Sequence, residues 1–481
     1  MLFESFRSRI RSAMVAIRSK PREGRQLAVS TLPAIIDTLE DRTMLSVITV
    51  TNLKDSGSGS LREAVASANA SPGADVIRFQ GTLAGTIVLT SGQMEITDTL
   101  AIDGPGMSRI TISGNNASRV FKMGPGTEVS IDDLTIANAL NTDKEDVGII
   151  VSRGGAILND GGMLHLIRIA MLNNRTLDAG SGPTAQVVGG GAIVNSGNAT
   201  LIADQCLFVG NSASGGTSYA FGGAIGNVTN SVANIKDCTF INNTASAGAT
   251  SYGGAIGNFG SSQLTVTGGR FDSNVALGTD PGEKAFGGAI ATRPGTVVSS
   301  GSTTTIDRSA FSNNRAVGGA GGMSQSGGDA GGGALYNVAS TLSVQRSDFY
   351  GNKAIGGNGA TKGGSAFGGA IDATATNSAE LPLTRIDRCQ FVGNLALGGS
   401  ARVGSSGLAG GGALYNAFGR MDLRFSVILG NLASGGRMGQ GTGGGIYNLA
   451  TVTVDRQTQG NIAFNVASTS DNNVYGPLTM A

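Results

Sequence analysis

Gly253-Gly254-Ala255-Ile256-Gly257-Asn258, followed by Phe271, Asn274 and Ala276, is the stretch on which the reading of this chain turns. Its glycine pair occurs nine times, at Gly154, Gly190, Gly222, Gly253, Gly287, Gly332, Gly368, Gly411 and Gly443, 31 to 45 residues apart. A second half, an apolar residue followed three positions later by asparagine, starts at Met171, Phe208, Phe240, Phe271, Phe311, Phe349, Phe391, Ile428 and Ile462. Its asparagines are Asn174, Asn211, Asn243, Asn274, Asn314, Asn352, Asn394, Asn431 and Asn465. Self-similarity at this spacing means stacked units, each burying its face only against its neighbours.

Within one unit Leu264 and Val266 alternate with polar residues, the mark of a strand with one face on a core. Gly268 and Gly269 let the chain bend, and Phe271, Asn274 and Ala276 then form a second short strand. With the Gly-Gly-Ala-Ile segment, this predicts three short strands and three corners per coil. Coils of that kind, stacked in register, make an all-β, right-handed parallel β-helix. Stacking sets asparagine on asparagine at roughly 4.8 Å. Each side-chain amide can then donate to the next oxygen, so an internal polar ladder is satisfied except at its ends.

The composition agrees: 78 glycines in 481 residues without a period of three exclude collagen, and alternating apolar strands exclude disorder. A net charge of +1 implies neither nucleic acid nor an acidic membrane as partner. Cys206, Cys238 and Cys389 each precede a motif phenylalanine by two residues, where Ser309, Ser347 and Ser426 stand in other units. That is a slot for a small side chain, and in-register parallel neighbours orient poorly for a disulfide. His165 is the only histidine, which argues against a metal site.

Three parts follow from this pattern: residues 1–46, 47–153 and 154–481. The first holds seven basic residues between Arg7 and Arg25, opposed by Glu23 alone, and no apolar run long enough to span a membrane. We expect a disordered export or sorting segment. Leu39-Glu40-Asp41-Arg42-Thr43-Met44-Leu45-Ser46 resembles the Leu-Glu-x-Arg-x-Leu-Leu motif of large surface or exported proteins of planctomycete bacteria, with Met44 in place of a leucine.

The second part is expected to be the N-terminal cap and irregular coils. Ser60 and Glu63 have capping-box spacing, and Leu61, Ala64, Val65 and Ala68 share one helical face, so a short helix should run to about Asn69 and cover the open end. Ser60-Leu61-Arg62-Glu63-Ala64 and Ala74–Phe79 resemble the entry segment of bacterial right-handed β-helix surface proteins, which often opens with a cysteine that is absent here. Strands are expected at Thr86–Leu89, Met94–Ile96, Leu100–Ile102, Arg109–Ile112, Val120–Met123 and Val129–Ile136, then a polar loop from Asn141 to Asp146. The nine repeat coils resemble the passenger repeats of chlamydial polymorphic outer-membrane proteins. Those proteins end in a membrane β-barrel; no ten-residue alternating strands are left here for one, which implies release or anchoring by other means.

Candidate chemistry is sparse. Asp132-Asp133 and Asn141-Thr142-Asp143 superficially resemble two of the four polygalacturonase motifs, but the Gly-His-Gly and Arg-x-Lys motifs are missing. Asp307-Arg308, Asp387-Arg388 and Asp455-Arg456 occupy comparable corners, as exposed salt pairs. The insertions between Asn-x-Ala and the next glycine pair, from Thr244–Tyr252 to Arg315–Gly331, line one side as a functional face or an ordered, passive fringe. No catalytic, cofactor-binding or metal-binding set converges. The expected function is therefore binding or display by an exported, monomeric, rod-shaped protein, adhesin-like or part of the envelope or matrix. Its expected partners are extracellular polysaccharide or envelope components. The alternative is a polysaccharide lyase, glycoside hydrolase or carbohydrate-binding β-helix, whose cleft should hold at least three carboxylates with arginine or lysine.

Overall fold

The computed structural model describes residues 46–142, 154–178, 187–217, 219–295, 301–375 and 383–481; the export segment up to residue 45 and Asp143 lie outside them. The helix Leu61–Ala70 opens with Ser60 Oγ accepting the Glu63 amide at 3.2 Å. The Glu63 carboxylate accepts the amide of Gly59, one residue before the position a capping box prescribes. Leu61, Ala64, Val65 and Ala68 are buried and close one end of the main core. Strands follow at Gly85–Val88, Met94–Ile96, Leu100–Asp103, Ile110–Ser113, Phe121–Met123 and Glu128–Ala137, within a residue or so of expectation. Asn141 is not in a loop. It is buried in the two-residue strand Leu140–Asn141, which pairs with Arg175 and Thr176.

A representative coil runs through Ile256–Phe259, Gln263–Thr267, Arg270–Asp272 and Val275–Gly278. The first strand belongs to a twelve-stranded sheet, the next two to a 24-stranded sheet, and the fourth to a ten-stranded sheet, counted over the described residues. These are the three walls of a right-handed parallel β-helix, and successive coils pair parallel and in register. The segment from Phe271 to Ala276 is not one strand, however. It turns a corner at Ser273, whose φ of +57° is left-handed, and Asn274 sits inside that corner. A second left-handed position bends the large sheet once per coil, filled by Asp237, Gly268, Arg308, Arg346 and Arg388 in turn.

Three inner files run across the coils. Phe208, Phe240, Phe271, Phe311, Phe349 and Phe391 stack with centroids 4.6–4.8 Å apart and planes within 9°. The expected amide ladder runs from Asn174 to Asn465 without a gap, at 2.8–3.0 Å per step. Each asparagine oxygen also accepts the backbone amide of the preceding ladder asparagine, as Asn274 does from Asn243 at 3.0 Å. The small-residue slot is a third file: Gly269 donates to Ser309 Oγ, Ser309 to Ser347 Oγ and Cys389 to Ser426 Oγ, each at 3.1 Å. The cysteines are free and buried, with the Cys206 amide 3.3 Å from Cys238 Sγ. Burial pushes the Cys389 thiol up to about 12.

The insertions form a fourth layer. Strands such as Thr250–Tyr252, Lys284–Phe286 and Ala366–Phe367 build an eight-stranded outer sheet. It lies on the ten-stranded sheet mainly through alanines, Ala276, Ala316, Ala354 and Ala396 against Ala285, Ala330, Ala366 and Ala409, with Ser251 Oγ donating to the Leu277 carbonyl at 2.6 Å. Beyond it the glycine pairs bond to one another, outgoing and returning segments alternating. Gly328 donates to Gly319, Gly357 to Gly328, Gly364 to Gly357 and Gly399 to Gly364, each at 2.8 Å. A Cβ on Gly328, Gly364 or Gly399 would collide with a neighbouring carbonyl, which explains the composition. The glycine-rich fringe is thus ordered.

Candidate functional site

Between the outer sheet and the outward face of the twelve-stranded sheet runs an aromatic seam. The outer sheet contributes the residue just before each of its glycine pairs: Gly189, Phe221, Tyr252, Phe286, Gly331, Phe367, Gly410 and Thr442. The twelve-stranded sheet contributes, in register, Leu158, Val194, Gly226, Gly257, Ala291, Tyr336, Asp372, Tyr415, Tyr447 and Tyr475. Large residues on one side meet small ones on the other. From Phe286 onward the rings stack: Phe286–Tyr336 at 4.4 Å, Phe367–Tyr415 at 4.5 Å and Tyr447–Tyr475 at 4.6 Å, within 32° of parallel.

At the glycine-bearing coils the stacking loosens, with Tyr252 23° from Phe286 and its centroid 5.7 Å away. Phe259 meets Phe221 at 36° and Tyr252 at 90°. A cleft of about 280 Å³ opens there, lined by Tyr219, Phe221, Thr250, Tyr252, Phe259 and Arg293 among others. The Arg293 guanidinium carbon lies 4.9 Å from the Tyr252 ring centroid and 5.7 Å from that of Phe259, a cation–π arrangement. Burial raises the Tyr252 phenol above its ordinary pKa, with Arg293 opposing the shift, so it stays a neutral hydroxyl at physiological pH. No carboxylate is among the described residues lining the cleft.

The coil that supplies Arg293 breaks a fourth inner file. Asn159, Asn195, Asn227 and Asn258 form a second amide ladder at 2.8 Å per step. It halts at Thr292, where Asn258 turns to Thr304 Oγ1 instead. Asn337 restarts it, Ala373 interrupts it again, and Asn416 bonds Asn448 at 3.0 Å. Asn159, Asn337 and Asn416, the first residue of each segment, keep a buried side-chain oxygen without a donor. Both interruptions adjoin an ionisable residue, Arg293 beside Thr292 and Asp372 beside Ala373. Asp372 is 3 % exposed with an unpartnered oxygen, and burial holds its pKa well above the usual carboxylate range.

The acidic residues singled out from the sequence do not gather. Asp132 is buried and Asp133 occupies the left-handed bend, accepting from Arg168 Nε at 2.7 Å in the next coil. Asp307 lies between Arg308 and Arg346 at 2.7 and 2.6 Å, and Asp387 pairs with Arg388 at 2.6 Å. Asp455 does not follow this pattern. It caps the short helix Arg456–Gly460, accepting amides of Thr458 and Phe425 at 2.8 and 2.7 Å. A groove of about 530 Å³ on the large sheet holds Arg385, Arg420 and Arg424 with Asp387 and Asp422, two carboxylates rather than three. Both are ion-paired, Asp422 to Arg420 at 3.0 Å. Among the described residues no three or more His, Cys, Asp or Glu are grouped to hold a metal ion, and no helix is long and apolar enough to cross a membrane.

No protein-family model and no curated protein matches the sequence. Among solved structures, one similar chain is a mannuronic acid specific polysaccharide family 6 lyase from human gut microbiota, 10% identical with TM-score 0.33, covering 91% of this chain and 83% of that one. Another is tailspike protein 3 of bacteriophage CBA120, 13% identical with TM-score 0.31, covering 89% and 57%. A third is the periplasmic alginate epimerase AlgG, 9% identical with TM-score 0.27, covering 83% and 79%. Superpositions this loose carry no argument about activity.

Proposed function

We propose that this β-helix is an exported protein that binds a polysaccharide in the cleft of Tyr219, Phe221, Tyr252, Phe259 and Arg293. The observation that carries the reading is the cleft's make-up: aromatic walls with a few convergent polar groups, Thr250, Tyr252 and Arg293, and no lining carboxylate. That is the ordinary chemistry of a small-ligand site, apolar surface with sparse polar anchors. A sugar ring offers the complement, an apolar C–H face edged with hydroxyls. Tyrosine suits it because an apolar ring ends in a hydrogen-bonding tip. Beyond buried Tyr336 and Asp372 the seam resurfaces at Tyr415, Tyr447 and Tyr475. Glycosidase chemistry needs two carboxylates flanking the scissile bond, so this cleft favours holding over cutting.

The test is a glycan-array and polysaccharide-degradation screen on the full chain and on Tyr252→Ala. We expect retention without new reducing or unsaturated ends, and a loss of roughly 2 kcal/mol or more of binding on truncating the ring. New chain ends would instead establish the enzymatic alternative and direct attention to the groove of Arg385, Asp387, Arg420 and Asp422.

A further inference from the structure

We infer that Arg293 makes the cleft selective for a sugar carrying an oxyanion, a carboxylate or a sulfate; this rests on the saccharide reading of the cleft. Arg293 ends the strand Ile290–Arg293, in register with Phe259 of the preceding coil. Its carbonyl accepts from Ser302 Oγ at 2.9 Å and from the Gly260 amide, so the backbone beneath the side chain is fixed. The guanidinium lies over two aromatic rings at the cleft wall.

Several charged groups around the coils are matched. Arg62 has Asp55, Arg168 has Asp133, Arg308 and Arg346 share Asp307, Arg388 has Asp387, and Lys284, in the coil of the cleft, has Asp329 at 3.2 Å. Exposed Arg315, Arg385 and Arg424 and half-buried Lys353 are not matched among the described residues, and none of those four lies over aromatic rings at the wall of this cleft. Arg293 has no carboxylate and no hydrogen-bond acceptor for its side chain among the described residues. A half-buried cation normally requires an anion or bonded acceptors. The rings offset part of that requirement through their negative faces, and they leave the planar fork of N–H groups to be filled. A carboxylate or sulfate fills it with two parallel hydrogen bonds, a geometry guanidinium supports and ammonium does not. The sugar ring that bears the oxyanion would then lie along Tyr252 and Tyr219. The cleft, at about 280 Å³, is near the lower end of the ~300–1,000 Å³ typical of small-ligand sites, which suits one ring.

The experiment is affinity electrophoresis of the full chain in gels containing polygalacturonate, dextran sulfate or neutral dextran, at low and high salt. Arg293→Gln, Arg293→Lys and Tyr252→Ala are run alongside, with melting curves to confirm that each variant folds. Wild type should be retarded most by an anionic gel, and which one shows whether the group is carboxylate or sulfate. Arg293→Gln should weaken that retention roughly 10- to 100-fold and remove most of its salt dependence, with Arg293→Lys recovering only part. If Arg293→Gln leaves anionic retention intact while Tyr252→Ala abolishes it, the cleft binds sugar and the role of Arg293 is wrong. Equal retention by dextran and the anionic polymers has the same meaning. Retention that neither variant alters overturns both readings, as does no retention of wild type by any polymer.

Discussion

The coil around Asn274 and the coil around Thr292 are neighbours built on one template, and they differ in the second amide ladder and in the outer seam. Inside, the Phe271–Phe311 stack and the Asn274–Asn314 bond cross from one to the other unchanged, at 4.7 and 3.0 Å. Between the twelve- and 24-stranded sheets the second amide ladder stops at Thr292, and outside the twelve-stranded sheet the aromatic seam, closely stacked at Phe286, opens at Tyr252 and Phe259 of the coil before. Regularity is thus kept where a whole column depends on it and given up where one coil can differ alone. Departures from an otherwise consistent pattern are where function is usually found, and here two fall in adjacent coils.

The largest effect should come from breaking the unbroken ladder. Replacing Asn274 by Leu removes the oxygen that accepts from both the backbone and the side-chain amide of Asn243. Each buried donor left unsatisfied costs about 1–3 kcal/mol, so the loss should be about 2–6 kcal/mol, read as a lower denaturant midpoint. An unchanged midpoint would remove the ladder from the account of stability. Cleft binding should survive if the variant folds, which separates the inner layer from the outer one.

The second interruption permits a test with a definite sign. Asp372 lies in the seam between Tyr336 and Tyr415, and Gly331 leaves the space its carboxyl occupies. Its pKa is raised in the folded protein because burial penalises the charged form. Below the ordinary carboxylate pKa of about 3.9, both states hold the proton and the group is neutral to stability. Above it the unfolded chain releases the proton while the folded chain keeps it. Stability therefore falls as pH rises, by at most about 1.4 kcal/mol per pH unit. Asp372→Asn should melt close to wild type near pH 4 and increasingly above it towards pH 8. A difference independent of pH would show that Asp372 is not held protonated.

Much of the scaffold was legible because it repeats. The motif asparagines, phenylalanines and small-residue slot recur at fixed offsets, and the capping helix announces itself by Ser60 and Glu63. The outer sheet was not legible, since strands such as Ala330–Gly331 and Ala409–Gly410 are two residues long and pair only between coils. Alternation cannot show in two residues. The corner at Asn274 was hidden for a related reason: Ser273 needs a left-handed φ without being glycine. The cleft left two signals that went unread. One is the aromatic residue before several glycine pairs, Phe221, Tyr252, Phe286 and Phe367. The other is Thr292, standing where Asn258 and Asn337 occupy the same motif position in the coils on either side.

That position also supplies the smallest and sharpest test. Thr292→Asn would place an amide between Asn258, which now bonds Thr304 Oγ1 at 3.1 Å, and Asn337, whose oxygen lacks a donor. The repaired step adds one buried hydrogen bond and satisfies one orphan, at the expense of the 2.7 Å contact between Thr292 and Thr304 hydroxyls. A net gain of about 1 kcal/mol is expected, seen as a small rise in denaturant midpoint. If the midpoint falls, the threonine pair is itself the better solution for this coil, and the interruption is structural. If it rises, the chain carries a less stable residue than its own repeat provides, directly beside Arg293. Binding by the repaired variant then tells whether the looser ladder is part of how the cleft is held open.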